Sequence, residues 1–473
     1  QWTVVSKWLG GLLEGNMRGN EEMKLLVQRA CLGGRSDRER LVLLLDEIRE
    51  RLRHVELEVE AAVDLAGHDA RKILSRGYGD CVDRSILLTT LLRASDLSAV
   101  PVFLCSRLHR SFSPEIATPY CGDHSLVKVE GDFGTAFIDP GADFHRFGDL
   151  PGMVQGIVAY SPMEDSFYRT PKTTAGENGF DVEIDSRLNQ RGRIEGRFVL
   201  ESYGSAEAKL RRGILSASAA EEKRALVKRV LRLDPSFILS DLSFPLSPED
   251  LSGEFCIKGR FKSDSAVDVL GDRLFVELPG HRASAQEVAL SKRNSSLTYD
   301  TPITHHISSS LKYPKDWKIL APLESRDLNG KSASFRRRVL EDADLGKVRL
   351  VDDYRRKSYS IDSEGYVQFK KLLEERAILS RKPLVLKRSM GSMDQKLAQD
   401  FRAVKDSSAA ADGEILLLEM KVELYRRRPC RIHMQGIVGI NSLAGKAFGD
   451  LTLPLPAEAR NIDLLGETRL KHG

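Results

Sequence analysis

A cysteine, a histidine and an aspartate that could act together follow one another in the first third of the 473-residue chain: Cys81, His124 and Asp139. Cys81 comes directly after the glycine-rich segment Arg76–Asp80, and the sequence predicts that a helix begins at the cysteine. Unpaired N–H groups and the helix dipole at such a position favour the thiolate, the reactive form of the side chain. The three residue types supply a nucleophile, a base and a group that orients the base.

The predicted strands determine whether these side chains can meet. His124 opens one strand and Asp139 closes the next, with the turn Gly131–Gly134 between them. If the two strands pair as a hairpin, His124 and Asp139 lie together at its open end and can both face the start of the Cys81 helix. Each residue taken singly has a structural interpretation: a cysteine packed as a small apolar side chain, a core histidine, and a carboxylate that caps a turn before Pro140. The three in this order favour a site.

The elements around this set predict an α+β domain over residues 1–165. Ser36 and Glu39 form a capping box ahead of a helix with apolar residues at helical spacing. The helix Cys81–Arg93 is apolar over much of its circumference, so we expect it to be buried. From Val100–Leu104 onward the apolar period becomes two, which is typical of strands. Helices followed by a meander of strands indicate the α+β class.

Residues 180–390 are predicted to be a β-sandwich-like region with accessory helices. The predicted strands are Ile194–Leu200, Gly253–Phe261, Arg273–Leu278 and Lys347–Val351. The predicted helices are Ser205–Leu233, which is rich in charge, and Asp362–Leu379. Small and polar residues make 405–413 the best linker of the chain. Strand patterns return in 414–473, which we expect to be the start of a further, incomplete β module.

Charge and hydropathy exclude several classes of protein. The chain has 72 Lys and Arg against 68 Asp and Glu, and a net charge of +4 is too small over this length to argue for nucleic-acid binding. The longest aliphatic run, Leu41–Leu45, is far shorter than the roughly 18 residues that a membrane span needs. The arginine runs Arg336–Arg338 and Arg426–Arg428 are candidates for a basic patch or, more commonly, for solvated surface.

The six cysteines are dispersed and include no CxxC pair, so the sequence predicts no zinc framework and no dense disulfide scaffold. Cys105 and Cys121 are expected at the two ends of one loop between neighbouring strands. They could form a disulfide in an oxidising compartment or pack independently.

Several consecutive motifs resemble the bacterial multidomain transglutaminase-like family. The resemblance covers about residues 1–165, and its motifs are Gly79-Asp80-Cys81-Val82-Asp83-Arg84-Ser85, Leu91-Leu92-Arg93-Ala94, Pro101-Val102, Asp123-His124, Phe137-Ile138-Asp139-Pro140 and Gly148-Asp149-Leu150-Pro151-Gly152. Two positions depart from the family pattern: Asp96 stands where the family usually has glycine, and Val82 stands where it favours lysine. Aspartate tolerates the left-handed backbone better than most residues, so the first departure is expected to be harmless.

The resemblance implies a papain-like core with Cys81 as nucleophile, His124 as base and Asp139 as the orienting residue. The implied chemistry passes through a thioester on Cys81, needs no cofactor and no metal, and acts on a protein or peptide substrate. Glutamine crosslinking, deamidation and hydrolysis of a peptide or amide bond share this triad, and the residues do not choose among them. The flanking β modules have no assigned function, and the family suggests the cell envelope, the periplasm or secretion.

A second interpretation is a catalytically inactive scaffold whose β modules bind protein or glycan at the cell surface. Two thirds of the chain lies outside the predicted core, and no part of that region shows catalytic spacing. A purely structural core has no physical need for all three residues of the triad, so the sequence favours the enzyme. Because the chain starts at Gln1 and its last module is incomplete, we expect it to be a fragment of a longer, tandem protein.

Overall fold

The computed structural model describes residues 1–34, 36–55, 65–107, 113–118, 122–270 and 273–387, together with the backbone of two strands within 413–440. The chain divides into two compact units, Gln1–Arg388 and Ser389–Gly473. The first unit contains both the predicted core and the predicted β region, and the boundary between them at 165–180 stays a prediction. The predicted linker 405–413 lies outside the described residues except for its last one, where a strand begins.

The helices of the first unit are, in chain order, α1 (Trp2–Val5), a π-helical turn (Ser6–Gly10), α2 (Gly11–Asn16), α3 (Glu21–Ala30), α4 (Asp37–Arg51), α5 (Ala70–Arg76), α6 (Cys81–Ala94), α7 (Gly204–Ser216), α8 (Ala220–Val230) and α9 (Ser363–Arg381). Short 3-10 turns occur at Gly152–Val154, Ala175–Glu177 and Gln286–Val288.

The strands up to residue 203 are β1 (Arg53–His54), β2 (Tyr78–Gly79), β3 (Ser98–Leu104), β4 (His124–Gly131), β5 (Gly134–Ile138), β6 (Val158–Ser161), β7 (Ser166–Arg169), β8 (Gly179–Leu188) and β9 (Ile194–Tyr203). The following strands are β10 (Ile238–Ser243), β11 (Phe255–Ser263), β12 (Val267–Leu270), β13 (Arg273–Val276), β14 (Leu297–Thr298), β15 (Ile303–Lys312), β16 (Lys318–Ala321), β17 (Arg326–Asn329), β18 (Ala333–Asp342), β19 (Lys347–Arg356), β20 (Ser360–Ile361) and β21 (Leu384–Lys387). The second unit contains β22 (Gly413–Glu423) and β23 (Arg431–Ile440), which pair antiparallel.

Helix α6 is the centre of the N-terminal part. All of its residues from Asp83 to Leu92 are buried, as its apolar circumference predicts. It shares one hydrophobic core with α2, α3, α4 and one face of the sheet β5-β4-β3-β6-β7. The other face of that sheet packs on the segment that contains Leu150 and Val154. The predicted capping box at the start of α4 is present, with both of its hydrogen bonds at 3.1 Å.

An eight-stranded sheet organises the β-rich part, in the order β10-β11-β9-β8-β15-β19-β18-β17. A second sheet, β12-β13-β21-β16, lies over it, and both sheets contribute to one core that also includes residues of α7 and α8. Helix α9 packs separately, on a smaller core with β18 and β19. The combination of helices with mainly antiparallel sheets confirms the mixed α+β class. The two sheets over a shared core fit the sandwich-like expectation.

The long charged helix predicted over Ser205–Leu233 is wrong in one respect, because two helices occupy this stretch. Helix α7 ends at Ser216 and α8 begins at Ala220. The Glu222 carboxylate accepts the backbone N–H groups of Ser218 at 2.9 Å and Ala219 at 3.4 Å. A side chain that satisfies these donors starts a new helix in place of a continuous one.

Two further observations concern sequence expectations. Asp96, which stands where the resembled family usually has glycine, has φ 63° at the turn from α6 into β3, so aspartate adopts the left-handed conformation that the turn requires. Among the described residues, no helix is long and apolar enough to cross a membrane.

Candidate functional site

Local sequence explains why Cys81 lies at the very start of α6. Helix α5 is terminated by Gly77, the residue directly after it, whose φ of 72° is the left-handed conformation of a helix C-terminus. Asp80 then caps α6 by accepting the Asp83 N–H at 2.9 Å. Between them, Gly79 is required by space, because a Cβ there would lie 2.7 Å from that of Asp83. The chain therefore delivers the cysteine on the first helical residue, partly buried.

The predicted hairpin brings His124 and Asp139 together. Strands β4 and β5 pair antiparallel through the turn Gly131–Gly134, so the start of β4 and the end of β5 lie at the same end of the hairpin. His124 Nε2 and Asp139 Oδ2 are 2.8 Å apart. The Asp139 carboxylate is also held by its own loop, because the Gly141 N–H donates to Oδ1 at 2.9 Å.

Cys81 lies close enough to His124 for its thiol to contribute to the raised pKa of the imidazole. Since Nε2 is engaged by Asp139, the other ring nitrogen, Nδ1, is left to take the thiol proton. The structure therefore brings the three predicted site residues close together, with His124 bonded to Asp139 and Cys81 beside the imidazole. Their catalytic roles stay a prediction.

The groups around His124 favour the charged form of its imidazole. Burial alone lowers the pKa of His124, but the Asp139 carboxylate and the hydrogen bonds to Asp139 and Cys81 outweigh it, and the net pKa lies well above the ordinary value. Burial raises the pKa of Asp139, and the facing His124 reverses this, so the carboxyl stays ionised. The site can therefore hold a protonated His124 against an ionised Asp139.

The sequence did not single out two residues at this site. Arg84, one helical turn after Cys81, is almost fully buried and binds the loop after Asp139. An arginine in the first turn of a largely apolar helix is a signal of its own, because a buried charge needs partners. His145 is buried in the same loop, and both ring nitrogens lack a hydrogen-bond partner among the described residues. Burial lowers its pKa to about 4, although nearby Asp139 opposes this, and no local sequence signal predicts it.

A second buried histidine–aspartate pair lies in the β-rich part. His281 Nδ1 and Asp352 Oδ2 are 2.9 Å apart. Both carboxylate oxygens also accept from Arg337, at 2.7 and 2.6 Å, and Arg337 donates to the Leu379 carbonyl at 2.8 Å. The middle residue of the run Arg336–Arg338 is thus 2% exposed, so the interpretation of this run as a basic patch or a solvated face is wrong for that residue.

A cavity of about 640 Å³ lies on the outer face of the eight-stranded sheet. Its lining includes the buried Ser308 and Ser310 of β15. The charged residues of its lining are Glu183, Asp185, Arg197, Asp241, Lys258, Arg260, Lys347 and Arg349. Cys81, His124 and Asp139 do not line it.

The described residues bear on the metal prediction but not on the disulfide prediction. No cluster of three or more His, Cys, Asp or Glu side chains in the described part of the chain is arranged to hold a metal ion. Cys121 lies outside the described residues, so its pairing with Cys105 stays open. The arginine run Arg426–Arg428 also lies outside the described residues, so its interpretation stays open.

No family model matches the chain, and no curated protein matches it. Among solved structures it is similar to a proposed protease from Parabacteroides distasonis, with 12% sequence identity and a TM-score of 0.48. The match covers 82% of this chain and 58% of that protein, so the chain spans less than two thirds of its length.

Proposed function

We propose that the chain is a cysteine-dependent enzyme that cleaves or transfers the acyl group of an amide, with Cys81 as nucleophile, His124 as base and Asp139 as the orienting residue. The observation that carries this proposal is the His124–Asp139 pair at 2.8 Å, with Cys81 beside His124 at the first residue of a buried helix. A nucleophile, a base and an orienting group in contact are the geometric signature of covalent acyl transfer.

The first half of the reaction forms a thioester. His124 takes the proton of the Cys81 thiol, and the sulfur attacks the amide carbonyl carbon. The resulting oxyanion collapses, the C–N bond breaks, and His124 returns its proton to the departing ammonia or amine. Asp139 keeps the imidazole in the required orientation and stabilises its charged form throughout.

An oxyanion donor is available in the same turn of helix. The Asp80 carboxylate accepts the N–H group of Asp83, whereas the Cys81 N–H donates to no described residue. This amide at the helix N-terminus is the natural partner for the oxygen of the tetrahedral intermediate. The second half of the reaction is attack on the thioester by water, which gives hydrolysis or deamidation, or by an amine, which gives crosslinking.

The competing proposal is a binding scaffold without catalysis. The observation that favours it is the 640 Å³ cavity, because its volume is in the range of ligand sites and it lies on the β-rich part. Protein or glycan binding there does not require the triad. The two proposals therefore make opposite statements about Cys81.

The test is the pH dependence of iodoacetamide alkylation, measured by mass spectrometry at each cysteine. We expect Cys81 to react rapidly at pH 6, and His124→Ala to make its alkylation as slow as that of an ordinary thiol. Cys256 is the internal control: it is also partly buried, and burial raises the pKa of its thiol. A Cys81 profile that matches Cys256 in the wild-type chain would contradict the proposal.

Activity is then tested with glutamine peptides, with and without an added amine. Release of ammonia without amine indicates deamidation, a new amide indicates crosslinking, and cleaved peptide indicates hydrolysis. Cys81→Ala should abolish all three, whereas Cys256→Ala should change none of them. If Cys81→Ala leaves turnover intact, the nucleophile is another group.

A further inference from the structure

The loop that follows β5 carries Asp139 and is held by a buried arginine. We call residues 139–146 the Asp139 loop. One guanidinium nitrogen of Arg84 donates to the Pro140 carbonyl and to the Asp143 carboxylate, both at 2.7 Å. The other terminal nitrogen donates to the Leu52 carbonyl at 2.6 Å, at the end of α4. Arg84 thus ties the Asp139 loop to two helices.

Arg84 and Cys81 share the first turn of α6. A displacement of the Asp139 loop relative to Arg84 is therefore also a displacement of Asp139 relative to the nucleophile. The hydrogen bond to Pro140 is made to the residue directly after Asp139, so it acts on the backbone that aims the carboxylate.

A second arginine holds the far part of the same loop. Arg49 of α4 donates from one nitrogen to the carbonyls of Ala142, at 3.1 Å, and His145, at 2.6 Å. At the end of the loop, Arg146 forms an ion pair with the buried Glu207 of α7. These contacts fix the loop as a whole, and Arg84 joins it to the helix that starts with Cys81.

The burial of Arg84 needs an explanation other than stability. Its side chain is 1% exposed, whereas its carboxylate partner, on Asp143, is 38% exposed. Burying an arginine against carbonyls and a partly solvated carboxylate is a costly way to stabilise a helix, and an apolar residue of similar volume is often at least as good. A rigid fork with fixed donor directions is well suited to setting geometry.

We propose that Arg84 is a positioning residue of the candidate site: it sets the Asp139 loop against the first turn of α6, so that Asp139 meets His124 and His124 meets Cys81. This inference rests on the proposed function for its biological meaning. Its geometric content, the placement of Asp139 beside His124, is testable without any turnover.

The experiment follows the titration of the His124 imidazole by NMR in a Cys81→Ala background, which removes the thiol and its coupling. Arg84→Met in that background should lower the apparent pKa of His124 by about one unit or more, because Asp139 no longer faces the ring. Arg84→Lys keeps the charge but loses the fork, and it should give an intermediate shift. It also serves if the methionine variant does not fold.

Arg337→Lys is the matched control, since Arg337 is likewise almost fully buried and binds a carboxylate and a helix carbonyl, but at the second histidine–aspartate pair. It should lower the unfolding midpoint and leave the His124 titration unchanged. If the folded Arg84 variants titrate at His124 within about 0.3 units of the Cys81→Ala parent, Arg84 has no positioning role and the proposal is overturned.

The same variants separate this inference from the proposed function. With Cys81 restored, Arg84→Met should reduce kcat on a glutamine peptide by about 10- to 100-fold with little change in KM, as expected for a misplaced catalytic group. A wild-type chain without turnover, combined with a His124 titration that depends on Arg84, would reject the enzyme and keep the positioning role. The reverse combination would reject Arg84 alone.

Discussion

Two histidine–aspartate pairs of almost equal length, 2.8 and 2.9 Å, occur in very different surroundings. His124 and Asp139 adjoin a cysteine at the start of a helix, and the Asp139 carboxylate is otherwise held by a backbone N–H. In the other pair, Arg337 takes both oxygens of Asp352. Asp139 can therefore respond to the charge of its histidine, whereas Asp352 already has a permanent counter-charge.

The comparison shows that a histidine–aspartate pair by itself does not define a catalytic site. The pKa of Asp352 is about 2, because His281 and Arg337 together outweigh the effect of burial, and no described nucleophile hydrogen-bonds to His281. The second pair is a buried ionic cluster that ties β19 to β18 and to the end of α9. The difference between the two pairs lies in the third partner, a thiol in one and a guanidinium in the other.

The largest expected contrast is in the reactivity of Cys81. Asp139→Asn should slow its alkylation at pH 6 by roughly 100-fold, because the imidazolium that stabilises the thiolate loses its carboxylate. Asp352→Asn should change that rate less than about 2-fold. The measurement is the pseudo-first-order rate at Cys81 by mass spectrometry, with Cys256 as reference. Equal effects of the two substitutions would mean that the pairs do not differ in function.

The next largest effect is on stability, where we expect the substitution of Asp352 to matter more than that of Asp139. Asp352→Asn should lower the free energy of unfolding at pH 7 by about 3 to 5 kcal/mol, because Arg337 is left buried without its counter-charge. The folded pKa of Asp352 is depressed, so its contribution is present above the unfolded pKa of about 4 and is lost as the pH falls toward about 2. Urea unfolding between pH 2 and 7 measures both. If Asp352→Asn loses as much stability in acid as the wild-type chain does, that loss is due to other groups.

His145, beside the first pair, gives a smaller effect with its own pH window. Its folded pKa of about 4 lies below the unfolded value near 6.5, so between these values only the unfolded chain binds the proton. Stability should therefore fall as the pH is lowered from about 6.5 to 4, by up to about 3 kcal/mol. His145→Gln should flatten this part of the curve. The alkylation profile of Cys81 reports whether the substitution also disturbs Asp139.

The smallest expected effect comes from replacing the histidine of the second pair, His281. His281→Gln removes the histidine but leaves the two hydrogen bonds between Arg337 and Asp352. We expect a loss of about 1 to 2 kcal/mol in unfolding free energy, as for one hydrogen bond to a charged group. By contrast, His124→Gln should eliminate the rapid alkylation of Cys81. A larger loss of stability at His281 than at Asp352 would contradict this ranking.

Local signals explain which parts of the site the sequence predicts. The cap at Asp80 and the turn Gly131–Gly134 act over a few residues, and they place Cys81 at a helix start and the other two residues at one end of a hairpin. The partners of Arg84 lie 32 and 56 residues away, at Leu52 and Pro140, so its role is visible only after the chain has folded.

The same distinction applies to the fold. Strands β9, β11 and β19 show apolar alternation and are predicted, whereas β15 and β18 are missed. Strand β15 contains Ser308–Ser310, and β18 contains Arg336–Arg338, so neither has an apolar run of strand type. The hydroxyls of Ser308 and Ser310 and the guanidinium groups of Arg337 and Arg338 bind neighbouring strands, as in the bond from Ser310 to Asp185 at 2.8 Å. Tertiary pairing therefore supplies what the local pattern lacks.

The parallel pairing of β8 with β15 has a consequence for how the chain folds. It is the junction between two antiparallel halves of the eight-stranded sheet, and it joins residues 125 positions apart, such as Asp185 and Ser310. Each half can form from contacts nearer in sequence, but their union must bear the entropy of a long loop closure. We expect a slow late phase in refolding of residues 1–388, during which the open edges of β8 and β15 are the surfaces most exposed to intermolecular strand addition.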